Sequence, residues 1–172
     1  MQFEAARRKI DVASYHVDCL CEALNAENFP RRRSVPPIPI QAHFEGVVVS
    51  VIAAIDQVAQ AVNSGLNLSL RPNKLFEGTF IRLGGIYPEI LSWVQNPVGR
   101  DLRRIRTRIV HYSYRKTPRG LHWVVESAQT DYDGSRELLE YATNALQFGK
   151  HLIEMLPLIE NAMTGRGVSA LC

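Results

Sequence analysis

The segment from residue 40 to residue 63 is the feature of this sequence that most constrains its fold. Its apolar residues recur at helical spacing over a wide face, and the small residues Gly46, Ser50, Ala53 and Ala54 lie among them. A helix this apolar must be covered on more than one side, and small residues let a neighbouring helix approach closely. We therefore expect residues 40–63 to be the central helix of a bundle, packed against the first helix and a dimer mate.

The remaining apolar spacing predicts further helices on either side of this segment. These helices are expected over residues 3–26, 73–83, 87–95, 96–114 and 135–156. Pro157 should end or kink the last of them, and Gly65 should form a left-handed cap after the central helix. The proline-rich residues 28–39 should form a linker, since prolines interrupt a helix.

An alternating stretch near the middle of the chain interrupts the helical pattern. Leu121, Trp123 and Val125 alternate with other residues between two turn-forming segments, which predicts a short β-hairpin or an extended insertion. The expected fold is therefore mostly α, an antiparallel helical bundle of four to five helices with this insertion. We assign residues 1–163 to a single domain and residues 164–172 to a flexible C-terminal tail.

Composition favours a cytoplasmic protein without cofactors. No uninterrupted apolar run reaches the roughly 18 residues that a membrane span requires, and the first residues lack the order of a signal peptide. The three cysteines are an odd number, which does not indicate a disulfide framework. His16, Cys19 and Cys21 suggest a metal site, but on a helix the two cysteines point about 200° apart. We expect no metal there, and we expect His43 and Glu45 to be surface or capping residues.

The segment that begins at Asn96 has the pattern of a basic helix ending in a histidine. Asn96 is a good N-cap, and Pro97 suits the first helical position. Leu102, Ile105 and Ile109 form a narrow apolar stripe. Arginines surround the stripe, and between residues 100 and 119 the sequence has eight basic residues and one acidic residue. This local charge, rather than the small net charge of +3, favours a polyanionic partner.

Two interpretations of this helix remain open from its residues alone. The arginines can be a solvated face with His111 stabilised at the helix end, or Arg106 and His111 can form a site for a phosphodiester. Arginine presents a planar, permanently charged fork to phosphate oxygens, and histidine exchanges a proton near neutral pH. An ideal helix puts positions 106 and 111 about 140° apart. Arg104 and Arg108 lie closer to the His111 side and are alternatives for the same role.

The segment Arg106-Thr107-Arg108-Ile109-Val110-His111 resembles the signature motif of the HEPN superfamily, which is an arginine, a polar residue, three further residues and then a histidine. Thr107 stands where members often have asparagine. Tyr114 resembles the tyrosine that many members carry nearby. Members paired with nucleotidyltransferases usually have that tyrosine two residues after the histidine, where this chain has Ser113.

The resemblance implies a homodimeric helical bundle in which two motif helices face one cleft. It implies a metal-independent endoribonuclease, in a toxin or defence role, with Arg106 and His111 as catalytic residues. Residues that would contact RNA are Arg103, Arg104, Arg108 and Tyr114. It also admits an antitoxin or a nucleotidyltransferase as a partner. Two alternatives stay open: a catalytically inactive bundle that binds a protein, nucleotide or RNA partner, and a plain basic module for RNA or DNA.

Overall fold

The structure, a computed structural model, describes residues 3–26, 38–112 and 134–165, and these ranges are mostly α-helical. The helices are α1 (Glu4–Ala26), α2 (Ile38–Gly65), α3 (Leu75–Gly84), α4 (Pro88–Gln95), α5 (Pro97–Tyr112), α6 (Gly134–Glu154) and α7 (Leu156–Met163), and a 3₁₀ turn (Pro72–Lys74) precedes α3. The prediction of a mostly helical bundle is confirmed. The β-hairpin or extended insertion predicted near residues 121–126 lies outside the described residues, as does most of the predicted tail.

Helix α2 is the central element, as its apolar pattern predicts. It packs against α1, α3, α5, α6 and α7. Its buried residues are Ile40, Phe44, Val47, Val48, Ser50, Val51, Ile52, Ala54, Ile55, Val58, Ala59 and Val62. The helix begins at Ile38, before the predicted start, because Pro39 falls in the first turn, where a missing N–H costs nothing.

Helix α2 is also the one described helix that is long and apolar enough to be compared with a membrane span. By length and mean hydropathy (1.7 over its most apolar window) α2 could cross a membrane, although half of that window is buried inside the bundle. Polar residues such as His43, Glu45 and Asp56 break up a continuous apolar run without lowering the average much. Length and composition of a single helix are weak evidence, since a buried core helix has the same profile. The cytoplasmic location stays a prediction.

Three helices converge at Gly149 of α6. A Cβ atom at this position would lie 2.6 Å from Cδ1 of Ile10 on α1 and 3.2 Å from Cγ1 of Val51 on α2. Further along α1, His16 lies beside His43, so α1 runs antiparallel to α2. Glycine at position 149 therefore lets α6 pack into the groove between α1 and α2.

A cluster of aromatic rings joins α3, α4 and α6. The indole of Trp93 stacks on Phe148, with ring centres 4.5 Å apart and planes 9° apart, and meets Phe80 edge-on at 5.1 Å. Trp93 Nε1 donates a hydrogen bond to the backbone oxygen of Phe148 at 3.0 Å. Phe76 extends the cluster, 5.2 Å from Phe80. The buried indole thus has both its apolar surface and its N–H satisfied.

The two predicted helix ends have different outcomes. The break before Pro157 is confirmed, since α6 ends at Glu154 and α7 begins at Leu156. The left-handed cap at Gly65 is wrong, because Gly65 is the last residue of α2 and the positive φ angles that follow belong to Asn67, at 51°, and Ser69, at 53°. Gly65 instead makes room for Met163, whose methyl group a Cβ would clash with.

Replacing Gly149 tests this packing. Gly149→Ala should lower the free energy of unfolding by about 1 kcal/mol, because overpacking outweighs the gain in helix propensity. Ile10→Val removes the atom nearest to the added methyl group. The free energy of unfolding of the double variant should therefore be about 1 kcal/mol higher than the value obtained by adding the two single effects. Urea unfolding measures all three.

Asn144→Ala, at an exposed position of the same helix, is the matched control. It should change stability by less than about 0.5 kcal/mol. Strict additivity of the Gly149 and Ile10 substitutions would contradict the close approach of α1 and α6.

Candidate nucleic-acid interface on helix α5

Helix α5 begins as its sequence predicts. The side-chain oxygen Oδ1 of Asn96 accepts a hydrogen bond from the backbone N–H of Val98 at 3.0 Å, and Pro97 is the first helical residue. The helix continues to Tyr112. Positions 106 and 111 therefore lie on the last two turns of one continuous helix, while Tyr114 lies outside the described residues.

The first half of α5 is anchored on the bundle. Leu102 and Ile105 are buried, which confirms this part of the predicted apolar stripe. Gly99 faces α6 so closely that a Cβ would lie 2.6 Å from Cζ of Phe148. The aromatic cluster and the apolar stripe together fix the direction of the helix that carries the motif.

The opposite side of α5 is open to solvent and basic. Arg100 and Arg104 are exposed there. Measured around the helix axis, position 111 lies about 180° from the buried Leu102, on the same side as Arg104. Position 108 lies about 60° from position 111. Position 106 lies only about 40° from Leu102, towards the packed side. The side chains of Arg106, Arg108 and His111 lie outside the described residues.

Arg103 has a packing role that the sequence did not indicate. Its guanidinium carbon lies 3.8 Å from the centre of the Phe76 ring, so the cation covers the edge of the aromatic cluster. Desolvation by burial lowers the pKa of Arg103 and the charge of Arg100 adds to this, whereas the carboxylates of Glu77 and Asp56 oppose it. One face of the Arg103 guanidinium, a predicted RNA contact, therefore packs against the protein itself.

Tyr141 on α6 is a polar residue near α5 that sequence reasoning missed. Its ring packs against Phe44, with ring centres 5.9 Å apart, and its hydroxyl is buried without a hydrogen-bond partner among the described residues. Burial raises the pKa of Tyr141, and the negative charge of Asp101 on α5 raises it further. Sequence reasoning missed Tyr141 because it lies among the apolar residues of α6, where its ring packs against the core.

Comparisons with known proteins do not add an assignment. No protein-family model, no curated protein and no solved structure matches this chain. The function of the chain must therefore be inferred from the residues of α5 and from the resemblance of its motif.

Neighbouring arginines on α5 should contribute differently to stability. Arg103→Ala should lower the free energy of unfolding by about 1 kcal/mol, because it removes the cation from the Phe76 ring and the stem that covers it. Arg104→Ala, at the next and exposed position, should change it by less than about 0.5 kcal/mol. Chemical denaturation of both variants makes the comparison, and equal effects would contradict the packing role of Arg103.

Proposed function

We propose that this chain is a metal-independent endoribonuclease of HEPN type. One observation carries this proposal: the Arg-x4-His motif lies on a continuous helix that is capped at Asn96 and anchored by buried Leu102. The opposite side of that helix presents arginines to solvent, which suits a phosphate backbone. The helical bundle is the architecture that the resemblance implies.

The proposed reaction needs an imidazole and a guanidinium at one phosphodiester. His111 takes the proton of a ribose 2′-hydroxyl, the 2′ oxygen attacks the adjacent phosphorus, and the bond to the 5′ oxygen breaks. The 5′ oxygen takes a proton from water as it leaves, and His111 then returns its own proton to solvent, so the products are a 2′,3′-cyclic phosphate and a 5′-hydroxyl. Arg106 stabilises the charge on the phosphorane, since its cation persists at any working pH.

The other basic residues hold the RNA. Arg104 and Arg108 bind flanking phosphates on the side of position 111, and Arg103 adds charge at the edge of this surface. Tyr114 orients His111 or the RNA. Because positions 106 and 111 are about 140° apart on one helix, the site is best completed by a homodimer in which two α5 helices face one cleft.

The biological setting that accompanies this proposal is a cytoplasmic toxin or defence protein. Its partners are RNA, a second copy of the chain and a neutralising antitoxin or a nucleotidyltransferase. The alternative is a catalytically inactive HEPN-like bundle that binds a protein, nucleotide or RNA partner. Thr107 favours this alternative, because a threonine has no amide to donate and accept as asparagine does.

RNA cleavage in the presence of EDTA tests the nuclease proposal. His111→Ala should lower the cleavage rate at least about 100-fold, the usual contribution of a general acid–base group. Arg106→Ala should lower it by a comparable factor, and Arg106→Lys should restore only part of it. Gel analysis of a labelled RNA should show 2′,3′-cyclic phosphate ends.

The control variant is His151→Ala, which removes an exposed histidine of α6 and should cleave like the wild type. A substrate with 2′-deoxyribose at the cleavage position should stay intact at that position. Equal rates for wild type and His111→Ala, or activity abolished by EDTA, would contradict the mechanism. If Arg104→Ala or Arg108→Ala lowers the cleavage rate and Arg106→Ala does not, the arginine that stabilises the phosphorane is Arg104 or Arg108 and not Arg106.

Binding to an uncleavable 2′-deoxy oligonucleotide separates contact from chemistry. Its affinity should fall with salt, and Arg104→Ala should reduce the slope of log affinity against log salt by about 0.7 for a single strand. His111→Ala should bind almost as the wild type does. Fluorescence anisotropy at several salt concentrations measures both, and a slope unchanged by Arg104→Ala would remove Arg104 from the interface.

A further inference from the structure

Two histidines from different helices share a hydrogen bond on the α1–α2 side of the bundle. His16 of α1 and His43 of α2 have their Nδ1 atoms 3.2 Å apart and their ring centres 5.5 Å apart. The two nitrogens therefore point at each other along the line that joins the rings. While both rings are neutral, the Nδ1–H of one donates to the lone pair on the Nδ1 of the other.

The fold builds this pair from residues that are 27 positions apart in sequence. The antiparallel packing of α1 on α2 brings them together, and Gly46 makes room for His16. A Cβ at position 46 would lie 2.6 Å from Nε2 and Cδ2 of His16, so the imidazole lies directly against the backbone of α2. Both side chains are half-buried, so protons from water reach the pair, while the α2 backbone limits how far the His16 ring can turn.

The number of protons on the two rings determines whether this hydrogen bond can form. A first added proton makes one ring an imidazolium, whose Nδ1–H still donates to the bare Nδ1 of the other ring, and such charge-assisted bonds are the stronger kind. A second added proton places an N–H on both facing nitrogens. Two cations then meet at close range without an acceptor between them, so the observed contact cannot persist.

The groups on α1 and α2 that face His16 offer little compensation to a second cation. On α1 the ring of Tyr15 lies 5.7 Å from the His16 ring, and Cys19 follows within one helical turn. On α2 the facing group is His43 itself. The carboxylate of Glu45, two residues further along α2, accepts a hydrogen bond from another side chain of the same helix.

Helix α6 also packs on α1. The titratable residues on its described part are Glu140, Tyr141, Lys150, His151 and Glu154. Desolvation by burial lowers the pKa of His16, and the charge of His43 lowers it further. Among the charged groups on the described parts of α1, α2 and α6, only His43 acts on this pKa. The protonated ring of His16 therefore gains no stabilising carboxylate there.

We propose that His16 and His43 form an acid-sensitive latch between α1 and α2, closed while at least one of the facing nitrogens is bare and open when both rings carry an added proton. In the open state the rings move apart, and the contact of His16 with the α2 backbone at Gly46 loosens. The latch uses no residue of the α5 motif. It therefore goes beyond the proposed cleavage of RNA, and failure of either proposal leaves the other standing.

The lowered pKa of His16 sets the direction of the pH dependence. Folding favours the neutral ring, so its contribution to stability is fully present above the ordinary pKa of 6.5 and is lost as the pH falls from there to the lowered folded value. A pKa lowered by one unit would raise the unfolding equilibrium constant about tenfold on the acid side. Acid should therefore weaken the α1–α2 contact before most carboxylates are protonated.

A double-mutant cycle of urea unfolding, measured from about pH 8 to about pH 4.5, isolates the pair. The cycle compares the wild type with His16→Ala, His43→Ala and the double variant, so the titration of carboxylates cancels. The coupling between the two histidines should be favourable at the upper pH and should vanish or become unfavourable at the lower one. In the matched control cycle, His16→Ala and His151→Ala should show no coupling at any pH. Absent coupling at the upper pH, or favourable coupling that persists unchanged at the lower one, would overturn the latch.

Nitrogen-15 spectra of the wild-type histidine rings guard against variants that fail to fold. At about pH 8 one ring of the pair should carry its proton on Nδ1 and the other should have a bare Nδ1. On acidification the pair should take up two protons in separate steps, and the nuclear Overhauser contact between the His16 ring and Gly46 should weaken with the second step. Bare Nδ1 atoms on both rings at the upper pH, independent titration of the two rings, or an Overhauser contact that survives the second step would contradict the proposal.

Gly46→Ala provides an independent check on the geometry. The added methyl group should displace the His16 ring from the backbone of α2 and separate the two nitrogens, although both histidines remain in the chain. The two rings should then titrate independently of each other. Two-step titration that is unchanged in a folded Gly46→Ala protein would show that the latch does not depend on this close approach of α1 to α2.

Discussion

Burial of α2 is the constraint on which the rest of the molecule depends. A helix with apolar residues over so wide a face cannot be covered by one neighbour, and α1, α3, α5, α6 and α7 all pack on it. Full burial of each large aliphatic side chain here contributes about 1.5–3 kcal/mol, so contacts with α2 add substantially to the stability of the bundle. The other helices therefore take their positions from this one.

The aromatic cluster positions α5, the helix that carries the candidate site. Trp93 stacks on Phe148, which in turn touches Gly99 at the start of α5. Arg103 covers Phe76 on the outer edge of the same cluster. The direction of α5, and hence the side on which its arginines face solvent, follows from apolar contacts in its first half. The residues proposed for chemistry lie further along the helix, beyond these contacts.

The two sides of α5 therefore have different surroundings. Its Leu102 side belongs to the core, and its Arg104 side is free to meet a polyanion. Arg103 lies between the two and shows that a basic residue on a basic helix can serve the packing of the protein. A count of positive charges therefore overstates the basic surface that α5 exposes to solvent. The helical positions of residues 106 and 111, on different sides, are the reason a second copy of the chain belongs to the proposed function.

The sequence allowed much of the local structure to be predicted. The N-cap at Asn96, the break before Pro157 and the buried stripe of Leu102 and Ile105 all follow from short-range rules of helix geometry and capping. The cap at Gly65 failed because glycine was needed there for space beside Met163, and Asn67 took the left-handed conformation instead. Local rules do not distinguish these two uses of glycine.

The chain by itself therefore determined which segments form helices, which sides of them are apolar and where the motif lies, since these depend on neighbours within a few residues. Only the tertiary structure decided that Arg103 covers Phe76, that the Tyr141 hydroxyl is buried near α5, and that His16 meets His43. Such contacts join residues far apart in sequence. They arise from how helices cross and from where small residues such as Gly46 and Gly149 let them approach, which no spacing along one helix specifies.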